Sequence, residues 1–398
     1  MTQTTDILIS GGGVAGLMAA AAFGAEGFDV ICADPARPVT EAGAEGADLR
    51  STAFLQPSVA LLAGLGIWQR LAPYATPLDI MRIIDAGGPE PEARLIRDFE
   101  VTEVSDAPFG QNLPNWLLRR ELVAHLETLP NVDFRPGVAT TTLVTRETEA
   151  RIGLSDGGPV SARLLVAADG RGSPMRAALG IGYQTFRYGQ KALAFAVSHP
   201  VPHQNISTEV HRTGGPFTLV PLPDHEGRPA SAVVWMDSGP EVARLMALPP
   251  AAFEAAMTER STGVLGPLTL ESRLTAWPII SQRADRMAGQ RSALMAEAAH
   301  VVPPIGAQGL NMSLADLACL IDLARARPEG LGDRAMLDAY HRRRHPDVVA
   351  RVAGIDLLNR ASMARSPAFR DLRMGGLRAL HGLAPVRRLL MKAGLGLT

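Results

Sequence analysis

Three kinds of hydrophobic pattern follow one another along the chain. The first is a short unbroken apolar run that stops at glycines or an acid, the pattern of a strand buried on both faces of a parallel sheet. Ile7-Leu8-Ile9 stops at Gly11-Gly12-Gly13, residues 28–33 stop at Asp34, residues 162–168 stop at Asp169, and residues 292–296 stop at Glu297. The second is a helical stripe. An alanine-rich run over residues 14–25 is closed by Gly27, and Ser58 stands where it can cap a helix running to Gly66. Leu122, His125, Leu126 and Leu129 share one helix face, where His125 reads as a core or boundary residue. A further helix is expected over residues 310–324. The third kind alternates. It covers residues 80–84 before the turn Gly87-Gly88-Pro89, then residues 138–144 and 150–154, and then 192–197, 208–211, 217–221 and 230–235. One helical stretch, 250–260, interrupts that last group, and the chain from residue 334 onward is helical and rich in arginine.

Strands of the first kind alternating with helices predict an α/β, Rossmann-like, mostly parallel sheet. The alternating strands predict an inserted, mainly antiparallel sheet, a floor suited to a flat apolar substrate. The expected division is a discontinuous nucleotide-binding domain over residues 1–76, 104–181 and 271–345, a substrate domain over 77–103 and 182–270, and C-terminal helices over 346–398.

The candidate chemistry lies where the buried runs stop. In Gly11-Gly12-Gly13-Val14-Ala15-Gly16, Gly11 permits a tight turn, Gly13 lets backbone approach a pyrophosphate, and Gly16 lets the helix pack against the strand. The helix start then presents free N–H groups to phosphate. Asp34, about twenty residues on, suits ribose hydroxyls. Arg50, just before the next helix, reads equally well as a pyrophosphate contact or as an ion-pair partner of Asp48 or Glu45. Asp169 ends a strand where α/β sheets bind ligands, and Ser173 with Pro174 begins a short helix. After Glu297 a proline- and glycine-rich loop leads into a helix whose first N–H groups can bind an electron-rich ring edge.

Composition narrows the classes. The chain has 398 residues, is 46% hydrophobic, and carries a net charge of −1, which argues against nucleic acid as a partner. Two cysteines, Cys32 and Cys319, form neither a disulfide framework nor a zinc motif. No run has the length of a membrane span and no basic leader precedes the first apolar run, so a cytoplasmic protein is expected. The arginine-rich tail leaves room for peripheral contact with an inner membrane.

Three separated motifs agree in order: the Gly11/Gly13/Gly16 turn, Asp169-Gly170 with Ser173 and Arg176, and residues 296–311. In that order they resemble the single-component FAD-dependent aromatic hydroxylases of para-hydroxybenzoate hydroxylase fold. His300-Val301-Val302-Pro303-Pro304-Ile305-Gly306-Ala307-Gln308-Gly309-Leu310-Asn311 is most similar to the ubiquinone-biosynthesis hydroxylases. So are Asp48-x-Arg50, Tyr188-Gly189-Gln190 and Leu357-Leu358-Asn359-Arg360. The resemblance implies that Gly11, Gly13, Val14, Ala15, Gly16 and Asp34 hold the ADP half of FAD, and that Arg50 and Arg119 contact it, with Arg120 a rival to Arg119. It places Asp169 near both FAD and a transient NAD(P)H donor, and Glu297 on the ribityl chain. Pro304, Gly309, Leu310 and Asn311 then belong to the loop facing the isoalloxazine.

The implied activity is hydroxylation of a polyprenylated phenol with molecular oxygen, through a flavin C4a-hydroperoxide. A quinone-biosynthesis complex is an implied partner, and no residue stands out as the catalytic base. His300 reads as a residue that orders its loop. One departure stands out: the family usually has Gly-Asp where this chain has Ala296-Glu297. Two other readings remain open. A halogenase or prenyl-reductase relative is disfavoured because lysines are few and none sits in a motif. A non-catalytic member of a biosynthetic complex rests on Glu297 alone.

Overall fold

The structure, a computed structural model, describes residues 3–88, 90, 92–364 and 366–396. Pro89 of the expected turn lies outside the described residues. The buried runs form one sheet in the order Ala288–Gly289, Ser292–Leu294, Pro159–Ala167, Gln3–Ser10, Val30–Asp34 and Val132–Pro136. From Ser292–Leu294 to Val132–Pro136 every neighbouring pair is parallel. Thr140–Thr145 and Ala150–Leu154 extend it as an antiparallel pair on the strand Pro159–Ala167. Helix Val14–Ala25 lies on the sheet with Ala19, Ala20, Ala21 and Ala22 fully buried. The small side chains let it approach closely, and the same buried cluster takes in Gln308–Ala326 and Arg334–Ser362 as far as Ile355.

The alternating runs form a nine-stranded sheet. It is antiparallel except where Ile206–His211 pairs in parallel with Ile80–Asp85. The latter belongs to the hairpin Ile80–Asp85 and Leu95–Glu100, donated from earlier in the chain. Period-two alternation separates the faces. Leu193, Phe195, Phe217, Leu219, Val233 and Trp235 pack into one cluster with Val242, Leu245 and Phe253 of helices Gly239–Met246 and Pro250–Arg260. Val220 and Met236 belong to other clusters, on the opposite face.

The expected return to the first domain at residue 271 does not follow the sheets. Strand Thr275–Ala284 pairs with Tyr183–Ser198 in the second sheet, and even His300–Val301 adds to its edge. The expected start of a separate helical region at 346 falls inside the single helix Arg334–Ser362. Its buried face is continuous through Tyr340, Arg344, Val348, Ile355 and Asn359, so packing carries the helix across the boundary despite Pro346. A third small sheet joins Ser51–Leu55, Gly110–Pro114 and Thr76–Leu78, and rests on the large sheet where Asn112 Nδ2 donates to the Pro221 carbonyl at 2.8 Å.

Candidate FAD and substrate site

The register sets the site. Ser10 stands beside Ala33 on one side and Ala167 on the other, and Ala167 stands beside Leu294. Four parallel strands therefore end level. The residues that follow, Gly11, Asp34, Asp169 and Glu297, are spread along one sheet edge over three inter-strand steps, about 14 Å. Backbone bonds lock the ends: Gly11 N donates to Ala33 O at 2.8 Å, Ala168 N to Ser10 O at 2.8 Å, and Met295 N to Ala167 O at 3.0 Å.

Each glycine of the turn has its own reason. Gly11 has φ +108°, and a Cβ there would sit 2.4 Å from the Ala168 carbonyl oxygen. A Cβ on Gly16 would sit 1.8 Å from the Gly11 oxygen, so strand and helix could not meet. A Cβ on Gly13 meets nothing within 4 Å. The space before Gly13 is open, and the helix behind it has no side-chain cap. Its first-turn N–H groups, those of Val14 and Ala15, lack intrahelical partners and face the same opening. Asp34 is held by Gly12 N at 2.5 Å and Ala36 N at 2.7 Å, one bond on each oxygen, leaving lone pairs for further donors.

Asp169 is half-buried. Its Oδ2 accepts from Met175 N at 3.1 Å, but its buried Oδ1 has no partner among the described residues. Burial pushes this carboxyl above the usual range despite the bonds to Ser173 and Met175. A buried acceptor left open at a strand end fits a hydroxyl-bearing ligand. Ser173 caps the short helix Pro174–Ala178 as expected, accepting from Arg176 N at 2.9 Å. Ser58 does not cap. Its helix starts at Gln56, and its hydroxyl instead donates to Asn311 Oδ1 at 2.7 Å.

Asp48 binds Arg50 through both oxygens, at 2.8 and 2.7 Å, and also takes Asn115 Nδ2 at 3.0 Å. Arg119 reaches the same carboxylate at 3.8 Å, whereas Arg120 turns away onto Glu121 and the rings of Tyr74 and Trp116. Arg119, not Arg120, thus joins Arg50. The guanidinium of Arg50 lies 5.2 Å from the ring centre of Trp277 at the edge of the second sheet. Burial works against its charge, but the bonds to Asp48 and the fields of Asp48 and Glu297 outweigh it and raise its pKa. Arg50 is both the ion-pair partner of Asp48 and the cation facing the Glu297 strand end.

Glu297 is exposed in a short 3-10 turn, Ala296–Ala298. Ala296 holds φ +54°, a left-handed conformation that favours glycine. Asp316, fully buried, underlies this turn. It accepts from His300 Nε2 at 2.7 Å, Arg344 Nε at 2.8 Å and Ala296 N at 3.4 Å. His300 is 2% exposed and spends Nε2 on that bond, so it orders the loop. Pro304 and Gly309 are exposed and Leu310 is half-buried at the start of helix Gln308–Ala326, which no side chain caps. Asn311 is a strut. Its Oδ1 accepts from Leu55 N and Ser58 Oγ, and its Nδ2 donates to the Ala53 and Ala307 carbonyls, which uses its full capacity. Val220 of the large sheet and Ala307 of this loop share one apolar cluster, so the sheet face opposite its helices looks onto the loop.

Sequence reasoning missed two features. Asp316 looked like any helix acid, and only its burial marks it. Glu209 and His211, alternate residues of strand Ile206–His211, pair at 2.7 Å on the face opposite Val210, whose side chain packs with Phe217.

The open space at Gly13, the free acceptor on Asp169 and the two uncapped helix starts fit an extended dinucleotide lying across the level strand ends. Residues 4–354 match the FAD binding domain family. The chain belongs to this family. Among its relatives, the ubiquinone hydroxylase UbiL of Rhodospirillum rubrum is 32% identical over 397 residues, covering 99% of this chain and 90% of the relative. The 3-demethoxyubiquinol 3-hydroxylase of Escherichia coli is 28% identical and covers 99% of each. The crystal structure of p-nitrophenol 4-monooxygenase PnpA from Pseudomonas putida DLL-E4 superposes with a TM-score of 0.82 at 19% identity, covering 99% of each chain. The fold is that of the FAD-dependent aromatic monooxygenases, with a Rossmann-like domain and an inserted sheet.

Proposed function

We propose that the protein is an FAD-dependent monooxygenase that uses NAD(P)H and oxygen to hydroxylate the ring of a polyprenylated phenol in ubiquinone biosynthesis. The observation that carries this is the edge on which Asp34, Gly11, Asp169 and Glu297 follow one another beneath an apolar sheet face. The quinone-ring hydroxylases among its relatives, matched along nearly their full length, support it.

When bound, the flavin supplies electron transfer from NAD(P)H to oxygen and delivery of one oxygen atom to the ring. The chain's own residues hold and shield it. The helix start at Val14 and Ala15 meets the pyrophosphate with N–H groups and a positive dipole end. Asp34 and Asp169 offer carboxylate acceptors to hydroxyls. Arg50, fixed by Asp48, supplies a cation between Trp277 and Glu297. The uncapped start of helix Gln308–Ala326 favours negative charge at the ring edge. Val220, Met236 and their neighbours give the opposing apolar wall that excludes water. On this reading the enzyme works in the cytoplasm against the membrane that holds its substrate, within reach of the other enzymes of the pathway. Among the described residues no helix is long and apolar enough to cross a membrane.

The test is to purify the protein, release its flavin, and follow NAD(P)H oxidation with a phenolic quinone precursor. Mass spectrometry of quinone intermediates from cells lacking the protein completes it. A yellow protein that yields hydroxylated product, and accumulation of the unhydroxylated precursor in its absence, are expected. A colourless protein that cannot be reconstituted with FAD would overturn the reading in favour of a non-catalytic role.

A further inference from the structure

The chain closes with two helices, Pro367–Gly382 and Ala384–Leu395, whose polarity is reversed for a surface hairpin. In the first, Arg370, Arg373, Met374, Leu377 and His381 recur every three or four residues and turn inward. Arg373 binds the buried carboxylate of Asp85 at 2.8 Å, and the His381 ring nitrogen lies 3.0 Å from the Asp98 carbonyl. The outward side is then apolar: Phe369 is 65% exposed and Leu372 69%, with Leu380 and Leu383 along the same row. In the second helix Met391 and Leu395 are buried and Arg387 grips Glu103 at 2.6 Å, while Leu389 is 67% exposed beside Leu390. Charged side chains that would normally face water are spent on holding the hairpin down, and the leucines are left outside.

The charge around this row is one-sided. The two helices carry Arg370, Arg373, Arg378, Arg387, Arg388 and Lys392 against the single acid Asp371, in a chain whose net charge is −1. Arg378, Arg388 and Lys392 are exposed and flank the leucines. An apolar row bordered by cations matches the interface of an anionic bilayer, where side chains enter the acyl boundary while cations meet lipid phosphates. A second copy fits less well, because pairing would bring two cationic hairpins face to face.

We propose that this hairpin seats the protein on an anionic membrane surface. Its position gives the seating a purpose, and that clause alone rests on the proposed function. Met391 and Leu395 share a cluster with Leu78, Phe109, Val220 and Ala307, and Gln308 Nε2 donates to the Gly394 carbonyl at 3.2 Å. The inner side of the hairpin therefore touches the loop that begins helix Gln308–Ala326. A protein seated this way holds the mouth of its site at the depth where a prenyl tail leaves the bilayer.

The experiment is vesicle flotation of the full chain, with vesicles of mixed phosphatidylglycerol and phosphatidylcholine compared with phosphatidylcholine alone, at low and high salt. The expected result is flotation with the anionic vesicles only, weakened by salt. The combined change F369E, L372E and L389E should lower the bound fraction by an order of magnitude or more, as should the combined R378E and K392E. Flavin content should be unchanged in both, since each altered side chain is exposed. Absence of flotation by the unaltered protein overturns the proposal, as does flotation that either variant leaves intact. A dimer seen by sedimentation velocity and broken by F369E, without flotation, assigns the row to a second copy and equally overturns it. Flotation does not depend on turnover, so vesicle binding without hydroxylated product would count against the proposed function alone.

Discussion

Asp316 provides the sharpest test of how the loop at Glu297 is built. Asp316→Ala removes a fully buried carboxylate that joins His300, Arg344 and the Ala296 amide. His300 loses its partner in a site 2% exposed, and Arg344, 8% exposed, keeps Asp347 at 2.8 Å and the Met312 carbonyl at 3.4 Å. Breaking a buried pair from one side costs about 3–5 kcal/mol, and the surviving Asp347 contact argues for the lower end. An unfolding entropy of about 2 cal/mol/K per residue, over 398 residues, converts about 3 kcal/mol into a fall in Tm of about 4 °C. Because the lost acceptor also anchors Ala296, flavin affinity should fall with stability. Asp316→Asn keeps the shape and one acceptor and should fall between the two proteins. Thermal melts by circular dichroism and flavin titration of the apoprotein give both numbers. A Tm within about 1 °C of the unaltered protein, with unchanged flavin affinity, would refute the claim that this network sets the loop.

Gly13→Ala should fold normally, since its Cβ meets no protein atom within 4 Å, yet bind FAD at least an order of magnitude more weakly; Gly16→Ala should fail to fold well, and equal behaviour of the two in melts and flavin titration would remove the distinction. Burial raises the Asp169 carboxyl, so this group favours the fold below its unfolded value of about 4 and loses that contribution as pH rises through its folded one. Apo Asp169→Asn should therefore melt above the unaltered apoprotein near pH 7, with the gap closing below about pH 4, and should bind FAD less well. Arg119→Ala should weaken flavin binding while Arg120→Ala leaves it unchanged, because only Arg119 reaches Asp48; equilibrium dialysis of the two separates them. Ala296→Gly should raise stability by up to about 1 kcal/mol in denaturant titrations by relieving a left-handed alanine, and should leave flavin affinity intact.

What was legible in the sequence was whatever one strand or one turn determines. Ile7-Leu8-Ile9 followed by Gly11 and Gly13 could only be a buried strand entering a tight turn, and residues 250–260 carried a helical stripe with nothing to compete with it. What was hidden depended on partners far along the chain. Strand Thr275–Ala284 was placed in the first domain by its position in the chain; its assignment comes from Tyr183–Ser198, some ninety residues earlier. Ser58 carried a local capping signal, but Asn311, 253 residues away, offers its carbonyl at 2.7 Å and the cap falls three residues sooner, at Leu55. Arg50 was left between cofactor and ion pair because the sequence shows Asp48 and not Glu297, which lies near only once four strands end level.

The same distinction explains Ala296. A glycine would adopt this left-handed turn at no steric cost. Here the turn survives with a Cβ, at φ +54°, because the loop is held from below: Ala296 N reaches Asp316, Ala299 N returns to the Ala296 carbonyl at 2.9 Å, and Tyr340 fixes the Leu294 carbonyl at 2.8 Å. The conformation of one residue is held by a buried acid on helix Gln308–Ala326, an arginine on helix Arg334–Ser362 and the histidine of strand His300–Val301. The turn therefore keeps the Glu297 carboxylate at the sheet edge, where its field reaches Arg50. With Ala296 held from below, sensitivity to mutation should lie in Asp316, His300 and Arg344 more than in Ala296 itself.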